Sequence, residues 1–153
     1  PSMTTYYVTA DLDRAPTEQE AKEIGVPHAK VFLGRVKAII CADSIKDACA
    51  RGSECISGCI KEGRTISNVG CMPVAAAKEM GDDEIYKGYP TTTWLLYYRL
   101  KAGLTQAQLS NASGVNIRQI QRVELGEAEA GNLSAKNIIA LADALGGNGR
   151  ALV

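Results

Sequence analysis

Arg118 and Arg122 are the side chains of this sequence whose type and spacing suit a binding surface. They stand four residues apart, so both lie on one face of any helix that contains them. A guanidinium group can donate two parallel hydrogen bonds to a matching pair of acceptors, such as O6 and N7 of a guanine. The two arginines therefore predict a surface that donates hydrogen bonds to such acceptors, provided that their helix turns this face outward.

Two short helices with a tight turn between them are predicted to position these arginines, over residues 104–126. Thr105 can cap the first helix with its hydroxyl group, and Gly114 ends it, because glycine adopts a left-handed backbone at little cost. Asn116 can cap the second helix, and Gly126 stands where that helix should stop. Two helices joined by a turn of about three or four residues that contains glycine form a helix-turn-helix, whose second helix enters the DNA major groove.

The region from about Thr92 to Leu145 resembles the lambda-repressor/Cro-type (XRE-like) helix-turn-helix family. The resemblance is carried by Arg99 ahead of Gly103-Leu104-Thr105-Gln106, by Gly114-Val115-Asn116, by Ile120, Val123 and Glu124-Leu125-Gly126, and by the later helix IIALADALG. In that family the arginine of the first helix pairs with the glutamate that ends the recognition helix. Arg99 and Glu124 occupy those two positions here.

The resemblance also implies which side chains contact DNA. The family's recognition helix presents its first turn and one later face to base edges, and the corresponding residues are Asn116, Ile117, Arg118, Gln121 and Arg122. Arginine suits guanine, glutamine or asparagine suits adenine, and Ile117 can touch a thymine methyl group. Gln106 and Thr105 are expected at the phosphate backbone, near the exposed N–H groups that begin their helix. Arg99 is expected to position that phosphate contact while it pairs with Glu124.

By this resemblance the protein is expected to be a sequence-specific DNA-binding regulator, a repressor or autorepressor of bacterial or phage origin. It would act as a homodimer on a palindromic operator in double-stranded DNA. An alternative is an antitoxin, or a phage-encoded inhibitor of host defence (anti-CRISPR-like), whose first domain binds a target protein while its helix-turn-helix autoregulates the operon. Neighbouring genes for a toxin or for phage functions would favour this alternative. An enzyme is not expected and no catalytic residue is assigned, because the sequence has one histidine and neither a phosphate loop nor a nucleophile motif.

The composition is that of a globular protein with modest attraction for phosphate. Apolar residues make up 46% and charged residues 22% of the 153 positions, and the formal net charge is zero. Residues 90–153 carry six Lys/Arg against four Asp/Glu, a net charge of +2. Because non-specific attraction to DNA grows with positive charge, the affinity must come from a local patch and from dimerisation.

No membrane segment, metal site or cofactor is predicted. Apolar runs stay below the ~18 residues of a membrane-spanning helix and no basic-then-apolar leader begins the sequence, so a cytoplasmic protein is expected. The cysteines contain no CxxC pair, and the single histidine, His28, is distant from them. Zinc prefers two close ligand pairs, so a site could form only if four cysteines converged in space. Reduced, partly buried thiols are the favoured interpretation for Cys41, Cys49, Cys55, Cys59 and Cys71.

The fold class is predicted to be α+β, with a small α+β domain over residues 3–88 followed by an all-α helix-turn-helix domain over residues 91–147. The elements of the first domain alternate β-α-β-α-β-α, with strands at 4–10, 30–41 and 64–69 and helices at 17–25, 43–62 and 74–80. Gly34 suggests a bulge or bend in the second strand, and Asp43 is the predicted cap of the long helix. This domain is expected to supply dimerisation, effector sensing or binding of a protein partner.

Two helices are expected to be buried on particular faces. In the helix over residues 43–62 the predicted core stripe is Ile45, Ala48, Cys49, Gly52, Cys55, Ile56, Cys59 and Ile60. The helix WLLYYRLKAG, which opens the second domain, is apolar nearly all round. Its Leu95, Tyr98 and Ala102 lie on the side that the resembled family buries, and its other side carries Trp94, Leu96, Tyr97 and Leu100. That second side is expected to pack against the first domain or a second subunit.

Overall fold

The computed structural model describes residues 3–14, 18–24, 31–60, 64–128, 132–147 and 152. The elements in chain order are β1 (Thr4–Arg14), α1 (Glu18–Ile24), β2 (Val31–Ala42), α2 (Ile45–Cys59), β3 (Arg64–Pro73), α3 (Val74–Glu79), α4 (Asp83–Lys87), β4 (Thr91–Thr92), α5 (Trp94–Lys101), α6 (Gln106–Ser113), α7 (Ile117–Glu124) and α8 (Ala135–Ala144). The predicted α+β class and the β-α-β-α-β-α order of the first part are confirmed. The helix predicted over residues 17–25 is present as α1, and its first and last predicted positions, 17 and 25, lie outside the described part of the chain.

The strands form one sheet in the order β3-β1-β2-β4. The central strand β1 is antiparallel to both β2 and β3, and the short β4 is parallel to β2. Side chains alternate between the two faces of a strand, so every second residue of β1 and β2 contributes to one buried layer. That layer packs against α2 and consists of Tyr6, Val8, Ala10, Leu12, Val36, Ala38, Ile40 and Ala42.

The predicted irregularity at Gly34 is present. Asp11 and Asp13 are two positions apart on β1, whereas their partners on β2, Arg35 and Phe32, are three positions apart. One extra β2 residue is accommodated there, and Gly34 has a φ of +132°, which other residues rarely adopt. The glycine therefore permits a bulge that keeps β1 and β2 paired on both sides of it.

Helix α2 begins with a different cap from the one predicted. Ser44, not Asp43, is the N-cap, because its backbone is extended and its hydroxyl oxygen accepts a hydrogen bond from the Asp47 N–H at 3.1 Å. Of the predicted stripe, Ala48, Gly52, Cys55 and Ile56 are buried. Ile45 was predicted to be buried but is 58% exposed, since it lies in the first turn at the end of the packed face. All five cysteines have free thiols and are buried or half-buried, as predicted.

Residues 82–93 differ most from the prediction. No helix or strand was predicted between residue 80 and the helix that begins at Trp94, but residues 83–87 form α4, and Thr91 and Thr92 form β4. The sheet holds β4 through main-chain and side-chain bonds, since the Lys37 N–H donates to the Pro90 carbonyl at 2.9 Å and the Thr92 hydroxyl to the Lys37 carbonyl at 3.1 Å. Thr93 alone caps α5, accepting from the Leu96 N–H at 3.2 Å.

Helix α5 joins two apolar cores. Trp94 and Tyr97 belong to the core between α2 and the sheet, whereas Leu95 belongs to the core of the C-terminal helices, and Tyr98 packs against both. The expectation that the outer side of this helix packs against the first part of the chain is confirmed. Two details were wrong, since Ala102 and Leu100 are exposed at the C-terminal end of α5, beyond both cores.

The C-terminal core lies among α5, α6, α7 and α8. Its buried side chains are Leu95, Leu109, Val115, Ile120, Val123, Leu141, Leu145 and Leu152. Ser134 caps α8 by accepting from the Asn137 N–H at 3.2 Å. None of the helices in the described ranges has the length and apolar character needed to cross a membrane.

Candidate nucleic-acid interface

The first helix of the motif, α6, starts at a reciprocal cap. The Thr105 hydroxyl oxygen accepts from the Gln108 N–H at 3.1 Å, and the Gln108 side-chain oxygen accepts from the Thr105 N–H at 2.9 Å. This capping box satisfies two N–H groups that the helix itself leaves unpaired. At the other end Gly114 has a φ of +74° and terminates the helix, as the sequence predicted.

The turn between α6 and α7 is held by side chains that the sequence did not single out. The Ser110 hydroxyl donates to the Val115 carbonyl at 2.7 Å, and the Ser113 hydroxyl oxygen accepts from the Val115 N–H at 3.1 Å. The Val115 side chain is buried in the C-terminal core. Asn116 then caps α7, with its side-chain oxygen 2.8 Å from the Arg118 N–H. These bonds fix the direction in which α7 leaves the turn.

Helix α7 has one buried and one exposed face. Ile120, Val123 and Glu124 are buried against the other helices. Arg118 and Arg122 are exposed, and neither guanidinium has a hydrogen bond or ion pair with the described part of the chain. Of the remaining predicted contact residues, Asn116 and Thr105 are exposed, and Ile117, Gln121 and Gln106 are half-buried.

Arg99 and Glu124 form the pair that the family resemblance implied. The Arg99 Nε lies 2.8 Å from one carboxylate oxygen of Glu124 and Nη2 lies 2.7 Å from the other, while Nη1 donates to the Leu104 carbonyl at 2.9 Å. The two side chains are only 12% and 5% exposed. The hydrogen bonds to Glu124 raise the pKa of Arg99 above its usual value. This bidentate ion pair holds the C-terminal end of α7 against α5.

A chain of amide contacts extends this pair to the surface. The Gln106 side-chain N–H donates to Glu124 at 3.2 Å, and the Gln121 side-chain N–H donates to the Gln106 side-chain oxygen at 3.3 Å. The structure thus brings together four residues from three helices, with Glu124 buried and Gln121 at the rim. Gln106 orients Gln121 from the neighbouring helix.

Gln119 is a further exposed side chain of α7 that the sequence analysis left out. Its side-chain oxygen accepts from the Asn137 side-chain N–H at 2.9 Å, which connects α7 to α8. No local pattern could have indicated this contact, because the two residues lie 18 positions apart. Gln119 stands directly beside Arg118, at the edge of the same exposed face.

These features define a helix-turn-helix of the DNA-binding class: a capped first helix, a turn at a left-handed glycine, and a second helix with exposed arginines on its outer face. The model of a protein family described as helix-turn-helix matches residues 95–151, the C-terminal third of the chain. This match confirms the XRE/lambda-repressor-type resemblance and supports a DNA-binding regulator. Comparison with curated proteins gives no match, and comparison with solved structures gives none either.

Proposed function

We propose that the protein is a sequence-specific repressor or autorepressor that binds a palindromic operator as a homodimer, with α7 in the major groove. The observation that carries this proposal is the pair Arg118 and Arg122. Both are exposed and unpaired within the described chain, on the side of α7 opposite the buried Ile120 and Val123. Such a face leaves the guanidinium groups available for the acceptors of guanine bases.

The remaining contacts follow from the positions of the side chains around this face. Ile117 and Gln121 flank the arginines, and Asn116 stands at the start of α7. In the proposed complex these residues face base edges, with Gln121 held in orientation by Gln106. Thr105 and Gln106, at the start of α6, lie near the phosphate backbone.

Arg99 acts in this proposal as a positioning residue. Each of its three nitrogen atoms donates to a protein acceptor, so its role is to hold Glu124 and the end of α7 in place. Through Glu124 it also orients Gln106, whose amide N–H donates to the same carboxylate. Its effect on DNA therefore passes through the geometry of α7 and Gln106.

A homodimer is proposed because one recognition helix gives too little binding energy for a protein of balanced charge. The formal net charge is zero, which leaves little sequence-independent attraction to phosphate. Two copies would place two recognition helices in successive major grooves, roughly 34–36 Å apart. Selection of bound duplexes from a random library is expected to return inverted half-sites with this spacing. A lack of preference among duplexes at moderate salt would contradict the proposal.

Replacing Arg118 with alanine is expected to weaken binding to the selected operator by about 1–3 kcal/mol and to relax the base preference at one position. The reason is the loss of a two-pronged donor to a base edge. Affinity is measured by titration of the labelled duplex at fixed salt, and preference by repeating the selection with the variant.

The matched control is Lys46→Ala, which removes an exposed cation on α2, outside the helix-turn-helix. This variant should keep the affinity and the base preference of the parent protein. Both variants should also unfold at the parent's temperature, since both side chains are exposed. An Arg118→Ala protein that selects an unchanged sequence would remove Arg118 from the set of base-reading residues.

A further inference from the structure

A cavity of about 510 Å³ lies between the sheet and the segment that follows α7. Strands β1 and β2 with helices α3 and α4 form one wall, and residues 125–128 with Asn132 form the other. Small-molecule sites in proteins commonly measure about 300–1,000 Å³. The space is therefore large enough for a metabolite, and it touches the last residues of the motif that carries α7.

The cavity lining is cationic. Lys37, Lys78 and Lys87 contribute to it, and Glu127 is the one acidic residue among the lining residues that the structure describes. Lys87 is engaged by acidic neighbours on its own helix, with its Nζ 2.9 Å from an Asp83 carboxylate oxygen. Lys78 is exposed and has no ion pair with the described residues. Among the residues with described positions, no carboxylate bonds directly to the ammonium group of Lys37 or Lys78.

Lys37 is an unusual wall residue because it is only 3% exposed. Its ammonium group donates to the backbone carbonyls of Lys87 at 3.2 Å and Tyr89 at 3.0 Å. No carboxylate of the described chain lies within 4 Å of it, and burial lowers its pKa, an effect that Asp83 partly opposes. An ammonium group has three donors, so one remains after these two bonds. An anion in the cavity would supply the counter-charge that this buried ammonium lacks.

The same cavity has an apolar side. Ile39 and Val74 line it from the sheet and α3, and Leu125 lines it from the end of the recognition helix while being 64% exposed. An inorganic anion would leave these side chains uncovered. We propose that the cavity binds a small organic anion, with its acidic group near Lys37 and Lys78 and its apolar body against Ile39, Val74 and Leu125.

The position of the cavity connects it to DNA binding, a step that rests on the proposed function. Residues 125–128 form part of the wall and follow directly after α7. Gly126 also lies so close to β4 that a Cβ atom there would come within 2.9 Å of the Thr91 hydroxyl oxygen. An anion bound to this wall would therefore contact the segment that follows α7 and lies against β4. If the anion changes the affinity of the protein for its operator by some factor, thermodynamic linkage requires the operator to change the affinity for the anion by the same factor.

The test uses the full chain and the fluorescent probe 8-anilinonaphthalene-1-sulfonate, which combines an acidic group with an apolar body. We expect saturable binding of one probe per chain in the absence of DNA. Lys78→Glu should weaken that binding by about tenfold or more, because it reverses the charge beside the acidic group. Lys78→Arg should retain it, and Lys46→Glu, which reverses an exposed charge elsewhere, should leave it unchanged. Lys78→Gln serves as a milder variant, and cooperative unfolding of each variant shows that it is folded.

The outcomes separate the parts of the proposal. Equal probe affinity in Lys78→Glu, Lys78→Gln and the parent protein would overturn the anion site, as would several probes bound per chain. Displacement of the probe by inorganic sulfate at matching concentration would overturn the requirement for an apolar body. Operator titrations with and without saturating probe then test the link to α7. An absence of operator binding would contradict the proposed function while leaving the probe result intact.

Discussion

Replacing Arg99 with alanine is expected to lower the free energy of unfolding by about 3–5 kcal/mol, because it leaves a buried carboxylate without its cationic partner. Glu124 is 5% exposed and accepts both prongs of the guanidinium group. Without Arg99, the remaining side-chain donor to Glu124 in the described chain is the Gln106 amide, at 3.2 Å. Denaturant titration followed by Trp94 fluorescence measures the change.

Two control variants distinguish a lost ion pair from a lost side chain. In Arg99→Ala combined with Glu124→Gln the buried charge is also gone, so this double variant should be more stable than Arg99→Ala alone. Arg118→Ala removes the same side-chain type from an exposed position and should change the stability by no more than about 0.5 kcal/mol. An Arg99→Ala protein with the parent's unfolding midpoint would mean that the pair contributes nothing to holding α7.

The helix-turn-helix could be predicted from sequence because its signals are local. Thr105 caps α6, Gly114 ends it with a positive φ and Asn116 caps α7, each within a few residues of the backbone groups that it satisfies. The pairing of Arg99 with Glu124 spans 25 residues, and it was predicted only because the chain resembles a family in which that pairing occurs. The amide contact between Gln106 and Gln121 followed from neither source.

The end of β1 shows why strand lengths in the first part of the chain were underestimated. This strand was predicted to end at residue 10, because charged residues follow at positions 11, 13 and 14, yet β1 continues to Arg14. Asp11 is kept in the strand by partners on both neighbouring strands, Arg35 at 2.9 Å and Asn68 at 2.6 Å. These partners lie 24 and 57 positions away, so a pattern of adjacent residues could not reveal them.

Helix α4 was missed for the same physical reason. Residues 83–87 carry two acidic residues and a lysine, a composition typical of an exposed turn. The Tyr7 hydroxyl nevertheless donates to Asp83, and the Tyr7 ring stacks on Tyr86 with 5.1 Å between ring centroids. The hydrogen bond lowers the pKa of Asp83 and joins residues 76 positions apart. The cavity beside them depends on these contacts, so it could not be predicted from the sequence.

Replacing Gly52 with alanine is expected to destabilise the protein, although alanine is the better helix former by about 1 kcal/mol. Gly52 lies in the buried face of α2, and a Cβ atom there would come within 2.4, 2.5 and 2.7 Å of three side-chain atoms of Val8. Val8 is fully buried, and one of the three atoms is its own Cβ, which no rotation can move away. Overpacking of this kind costs about 1–3 kcal/mol or more. Three contacts below 3 Å place the clash at the upper end of that range, about 2–3 kcal/mol, so the expected net loss after the gain in helix propensity is about 1–2 kcal/mol.

The measurement is the same denaturant titration, with Ser57→Ala as the control at an exposed position of α2. Combining Gly52→Ala with Val8→Ala removes the two γ-carbons that the new methyl group would strike, so the losses of the two single variants should not add. The close contact between the Cβ atoms of residues 8 and 52 would remain in the double variant, so the recovery of stability should be incomplete. A Gly52→Ala protein more stable than its parent would mean that α2 lies farther from β1 than these distances require. Tyr97 of α5 packs on Gly58 of α2. A shift of α2 would therefore also move α5, the helix that joins the two cores.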